Sequence, residues 1–172
     1  YMRCFIGIPV VRPLADQCRM LSQGMGLATP AANLHLTLAF LGEQSASDLN
    51  GLKGSVSALA DKHASFAQLF DRCEPFPRDQ GPFIALTGKA SSPLQQLHAG
   101  LEECLEFHGL PLESRSFRPH ITLARPGAAV TSFQTMGEWV LPVNALWLYR
   151  SEWAEPLPTY ECLARFALKT AL

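Results

Sequence analysis

Asn33 to Glu43 reads "NLHLTLAFLGE", and its apolar and polar residues alternate. In a β-strand residues i and i+2 share a face. Leu34, Leu36 and Leu38 therefore line one side of the predicted strand Leu34 to Leu41, and His35 and Thr37 the other. A histidine beside a hydroxyl on the free face of a greasy strand needs a reason.

The pattern recurs. "HLTLAF" at His35 to Phe40 returns as "HITLAR" at His120 to Arg125, 85 residues on and about half the chain away. Each copy follows a helix-like segment and a linking loop, which predicts two related lobes within one domain spanning residues 1–172, rather than a solenoid. Between the copies the spacing predicts a helix from Ser45 or Ser47 to about His63, carrying Leu49, Leu52, Val56 and Leu59 on its buried face. Short strands are expected at Ser65 to Cys73 and Pro82 to Gly88, separated by the turn-rich "EPFPRDQG". A further helix is capped by Ser91 or Ser92, with Pro93 in its first turn and Leu94, Leu97, Leu101, Cys104 and Leu105 as its stripe. Met2 to Ile8 is a strand and Pro13 to about Met25 a helix; "GMGLATPAAN" is a loop, and Ala145 to Ala154 and Tyr160 to Leu168 are closing strands. Strands and helices mix without βαβ repetition, so the expected class is α+β.

The composition narrows the partners. Of 172 residues, 48% are hydrophobic and 17% charged, enough for a packed core, and the net charge is −1. A protein clamping many duplex phosphates carries a basic excess, so bulk polyanion binding is disfavoured, while one locally held phosphate is allowed. Five scattered cysteines without a CxxC pair point to reduced thiols rather than a zinc site or a disulfide framework. The chain opens on the strand-like "MRCFIGI", with no signal peptide and no long apolar run, so a soluble, cytoplasmic monomer is expected.

Two His-x-Thr strands about a pseudo-twofold axis suit in-line displacement at phosphorus, which needs an acid on one side and a base on the other. His35 and His120 are the candidate catalytic pair, because an imidazole titrates near neutrality. Thr37 and Thr122 are placed to donate to non-bridging oxygens, where charge builds in the transition state. Arg125 offers a guanidinium fork for one phosphate, and Phe40, its counterpart in the first copy, a stacking platform for a base. No metal or cofactor is required. An offset of five from each histidine puts Phe40 and Arg125 on the wrong face of an ideal strand, so these two roles require a bend. Two such copies with apolar residues after both His and Thr arise by chance in about one chain in a thousand.

The remaining polar residues read as structural. His98 borders a helix stripe, and His63 and His108 sit at helix ends, where a cation is ordinary. Arg115 and Arg118 read as solvated loop residues before the second motif. Trp147, Tyr149 and Trp153 are expected to be strand and core aromatics, with Tyr149, Arg150 and Ser151 near a strand end.

At the motif residues the chain resembles the 2H phosphoesterase superfamily, in its RNA 2′,3′-cyclic phosphodiesterase branch, first known as 2′–5′ RNA ligases. The likeness extends over "RCFIGIPV", "NLHLTLAFLGE", "RPHITLAR" and "LWLYRSEW…YECLARFAL". It implies two antiparallel sheets flanking a central groove, with helices outside. It also implies hydrolysis of RNA or nucleoside 2′,3′-cyclic phosphates to 2′-phosphates without a metal, His35 matching the acid and His120 the base. A reversible 2′–5′ RNA ligase uses the same pair, and a non-catalytic module binding RNA ends is the alternative outside enzymology.

Overall fold

The computed structural model describes residues 1–127 and 134–171. In chain order its strands are β1 (Met2–Pro9), β2 (Leu27–Ala28), β3 (His35–Gln44), β4 (Phe66–Arg78), β5 (Gly81–Thr87), β6 (His120–Arg125), β7 (Thr135–Val143), β8 (Ala145–Glu152) and β9 (Thr159–Ala167). Its helices are α1 (Leu14–Ser22), α2 (Ala46–Ala60) and α3 (Ser92–Phe107), with one 3₁₀ turn at Ala31–Asn33.

The strands run β7-β4-β5-β6-β3-β1-β8-β9, each pair antiparallel, and β2 adds to β6. This is the expected α+β class. Two four-stranded halves meet between the motif strands β3 and β6, where a single registered pair, Leu36 opposite Ile121, joins them.

Alternation decides what each face does. Cys4, Ile6 and Ile8 of β1, Leu36 and Leu38 of β3, and Ile121 and Leu123 of β6 join one buried cluster with Leu14 of α1, Leu52 of α2 and Leu97 of α3. The helices thus cover the apolar face, and the face bearing both motifs stays open. They also cross between halves: α1, which follows β1, packs on β6 and β7, while α3, which follows β5, reaches β3. Burying one apolar stripe against the other half's strands ties both halves to one core.

Local signals set the ends. Ser45 and Asp48 form a capping box at α2: Asp48 N–H donates to Ser45 Oγ at 3.1 Å and Ser45 N–H to Asp48 Oδ2 at 3.2 Å. Ser91 caps α3 by accepting from Leu94 N–H. The buried Gln68 amide donates to the carbonyls of Leu69 and Lys89, both at 2.8 Å, and its oxygen accepts from Ser91 N–H at 3.0 Å. That fixes the turn between β5 and α3.

Four readings differ from expectation. The expected loop "GMGLATPAAN" holds β2, paired with Arg125 and Ala124 of β6, and the 3₁₀ turn Ala31–Asn33. "EPFPR" is the continuation of β4, not a turn: Pro75 and Pro77 lie beyond the last β7 pair at Cys73, where β4 has one neighbour and a missing N–H on the open side costs no ladder bond. β7 has no counterpart in the expected elements; Trp139, Leu141 and Val143 supplied an alternating signal that Gly137 and Pro142 interrupt. β3 runs three residues past Leu41, through the turn-like Gly42.

Gly7 lies opposite Thr37, and a Cβ built on it would stand 2.7 Å from the Leu36 carbonyl oxygen and 3.5 Å from the His35 ring. Gly7→Ala is expected to push β3 away and cost about 1–3 kcal/mol, measured by urea unfolding, with activity falling beyond the loss of folded protein.

Candidate active site

Antiparallel direction about the Leu36–Ile121 pair sets His35 toward Thr122 and Thr37 toward His120. Since Leu36 and Ile121 point into the core, all four polar side chains face the groove. The quartet expected from the two motifs is therefore assembled around one place.

Both motif strands bend to bring in the fifth residue. In β3, Gly7 pairs with Thr37 but Ile6 pairs with Ala39, leaving Leu38 as the extra residue of a bulge. In β6, Ala85 pairs with Thr122 but Ile84 with Ala124, leaving Leu123 extra. A one-residue bulge reverses the facing of the residues that follow it, in β3 as far as Phe40, beyond which a second shift leaves Leu41 extra. Phe40 thus shares a face with its partner Phe5, whose ring is 6.4 Å away, and is 69% exposed. Arg125 turns to the same side as Phe83, with its guanidinium 5.6 Å from that ring. The bend that both roles require is present, at the same motif position in each strand.

The histidines are held alike. A carbonyl can only accept, so the bond from His35 Nδ1 to Asn33 O at 2.7 Å and that from His120 Nδ1 to Arg118 O at 3.0 Å each put the proton on Nδ1. In both, the carbonyl belongs to the residue two places earlier. Neutral Nε2 atoms are then left as acceptors; that of His35 receives the Thr37 hydroxyl at 2.7 Å.

Their surroundings differ. Around His35 stand Phe5, Tyr149 and Tyr160, with ring centroids at 4.8, 5.8 and 5.3 Å. His120 stacks on Phe76 at 4.0 Å and 20°. Burial holds both imidazoles below the ordinary value of 6.5, opposed by the carbonyl bonds; the charge of His120 adds to the depression at His35, and the Arg118 guanidinium to that at His120. The coupling of His35 to His120 follows from their sharing one groove.

Arg118 is exposed in the loop, as read, but it is also engaged at the site. Its carbonyl orients His120, its guanidinium donates to the Pro77 carbonyl at 3.0 Å, and it lies 4.6 Å over the Phe76 ring. Phe76 and Phe5 escape a reading of the sequence alone: Phe76 lies inside an apparent turn, and Phe5 in an unbroken apolar run. Tyr149 is buried against Phe5, so its reading as a core aromatic stands, though it also walls His35. His108 caps α3 and bonds to Ser55 Oγ at 2.7 Å, and His98 stacks on Phe117 at 4.1 Å, where the two line one cavity with Phe76 and Arg118. Among the described residues no helix is long and apolar enough to cross a membrane.

The chain matches the 2′-5′ RNA ligase superfamily over residues 11–152. It is 32% identical over 142 residues to an RNA 2′,3′-cyclic phosphodiesterase of Geobacillus stearothermophilus, which covers 78% of this chain but only 45% of that relative. The chain thus spans under half the length of that protein. It is 33% identical over 149 residues to the protein of the same name from Thermus thermophilus, covering 81% of this chain and 74% of the relative. Its fold superposes on the crystal structure of E. coli LigT complexed with 3′-AMP with a TM-score of 0.82, at 26% identity over 98% of both chains. The chain belongs to the 2′-5′ RNA ligase superfamily, a group of 2H phosphoesterases.

Because both imidazoles titrate lower in the fold than in the unfolded chain, the unfolded state binds more protons just below pH 6.5. The stability they contribute is complete above 6.5 and is lost as pH falls through the folded values. NMR titration of the two rings should give midpoints below 6.5, and urea midpoints should decline with acidification through that window. In the double variant His35→Gln, His120→Gln the decline should be shallower.

Proposed function

We propose that this chain hydrolyses RNA or nucleoside 2′,3′-cyclic phosphates to 2′-phosphates, acting as a monomer in the cytoplasm with its two lobes related by the motif duplication. The observation that carries the reading is the pair of imidazoles with protons fixed on Nδ1 and Nε2 atoms turned to one groove, each beside a threonine. Relatives named RNA 2′,3′-cyclic phosphodiesterase support the substrate class, as does a neighbour of the same fold complexed with 3′-AMP. Five free cysteines, three of them buried, fit a reducing compartment.

In this mechanism His120 takes the proton of an attacking water through Nε2. Protonated His35 gives its Nε2 proton to the departing 3′ oxygen, and the P–O3′ bond breaks while the 2′ phosphate stays. The asymmetry of the two rings supports the assignment. His35 Nε2 already faces a hydroxyl to which an imidazolium can donate, whereas His120 Nε2 has no bonded partner among the described residues. The depressed pKa values suit a base that must be neutral at pH 7, and binding of an anionic phosphate would raise His35 toward its acid form. Thr37, Thr122 and Arg125 stabilise the equatorial oxygens, and Phe40 offers its exposed ring to the base. Both proton transfers and the charge stabilisation are supplied by side chains, so no metal enters. With a 5′-hydroxyl in place of water the same steps join it to the 2′,3′-cyclic end as a 2′–5′ diester, and their reverse cleaves that diester.

Turnover of a 2′,3′-cyclic nucleotide in EDTA tests this. His35→Ala and His120→Ala should each lose about 10²–10⁴-fold in kcat, and Thr37→Val or Thr122→Val about 10–10²-fold, with a 2′-phosphate as product. A bell-shaped dependence of kcat/KM on pH is expected. A 3′-phosphate product, chelator-sensitive turnover or full activity in either alanine variant would overturn the mechanism.

A further inference from the structure

In-line displacement gives the phosphate two sides, and this groove treats them differently. Behind His35 the space is filled by Phe5, Tyr149 and Tyr160. Beyond His120, past the stacked Phe76, it opens into a cavity of about 610 Å³ between β4, the end of β5, α3 and the loop before β6. A water molecule occupies about 30 Å³, whereas ligand sites run from about 300 to 1,000 Å³. The cavity is far larger than hydrolysis needs.

Its lining has a chemical signature. Arg72, Lys89 and Arg118 contribute cations, Glu74 and Glu102 carboxylates, and Phe76 and Phe117 aromatic rings. Most of the charge is already engaged. Glu74 accepts from the Thr87 hydroxyl, Glu102 lies 3.5 Å from His98, Arg72 lies 3.6 Å from Asp71, and Arg118 is fixed on Pro77 and Phe76. Lys89 makes no ion pair among the described residues, yet its backbone is pinned by the buried Gln68. Lys89 is thus the lining cation whose side chain is left without a charged or hydrogen-bonded partner among the described residues, which suits a single phosphodiester and not a polyphosphate. Aromatic rings beside it suit a base.

We propose that this cavity holds a second ribonucleotide, one unit removed from the nucleoside bearing the cyclic phosphate, with Lys89 meeting its phosphate and its base against the Phe76–Phe117 side. This rests on the cyclic-phosphate reading above. The nucleotide comes either from the same strand or from the 5′ end of a second strand. In the second case its 5′-hydroxyl stands on the water side. The oxygen attacks phosphorus, its proton passes to His120, the P–O3′ bond breaks, and O3′ takes the proton of His35, leaving a 2′–5′ diester.

Calorimetry on the wild type, Lys89→Gln and Lys89→Arg tests this without requiring turnover. The same-strand arm compares a mononucleotide and a dinucleotide, each ending in a 2′-phosphate. The second-strand arm adds a 5′-hydroxyl dinucleotide, with an internal phosphodiester, to protein saturated with the mononucleotide. In one arm the dinucleotide should lose about fivefold in affinity in Lys89→Gln, the scale of one exposed charge-assisted contact, while mononucleotide affinity is unchanged and Lys89→Arg stays close to wild type. The arm that responds identifies the strand. Lys89 is exposed, so the variants are expected to fold. Indifference of both dinucleotides to Lys89, or equal weakening of mononucleotide and dinucleotide, would overturn the subsite. Turnover of a mononucleotide 2′,3′-cyclic phosphate, assayed alongside, reports on the hydrolase reading alone: its absence with Lys89-dependent dinucleotide binding intact would strike that reading and leave the subsite standing.

Discussion

The antiparallel pair Leu36–Ile121 is where the two motif strands meet, and the geometry of the groove follows from it. With both side chains buried, residues one place to either side face outward, and antiparallel direction matches each histidine with the other strand's threonine. Four functional groups are therefore positioned by one backbone contact and the apolar layer beneath it. The crossed helices protect that contact: α1 packs on the far half and α3 reaches β3, so the halves cannot part without exposing apolar surface on both.

Upon this symmetric frame the sequence builds an asymmetric site. Both imidazoles are oriented by a carbonyl two residues upstream and depressed by burial. One then sits within an aromatic enclosure bonded to a hydroxyl, and the other between a single aromatic ring and a cation beside open space. Identical side chains acquire different neighbours, which is what the proposed division into acid and base draws on.

Much of this is legible in the chain. The alternation of "LHLTL" and "HITLA" marks the faces of β3 and β6 because a period of two is the direct signature of a half-buried strand. The Leu stripes and serine caps mark α2 and α3. The features that escape depend on neighbours distant in sequence. Pro75 and Pro77 look like turn residues until β4 is seen to have a free side beyond Cys73, and β7 is a strand only because β4 pairs with it. Phe76 and the Arg118 carbonyl join the site through that same turn-like stretch. Motif position alone singles out Phe40 and Arg125, and their common facing with the histidines becomes intelligible only with the bulges.

Those bulges impose a rule of length rather than of identity. Leu38 and Leu123 each occupy the third place after a histidine and add one residue opposite a partner strand that has none. Losing a residue there would leave the alternation of hydrophobic and polar types almost unchanged to the eye. It would nonetheless rotate the guanidinium of Arg125 toward the oily layer and the Phe40 ring with it. Exchange of one small side chain for another at Ala39 or Ala124 is a mild event, but a single-codon deletion is not. Variation in this fold is thereby directed away from its motif strands and into the connections between them.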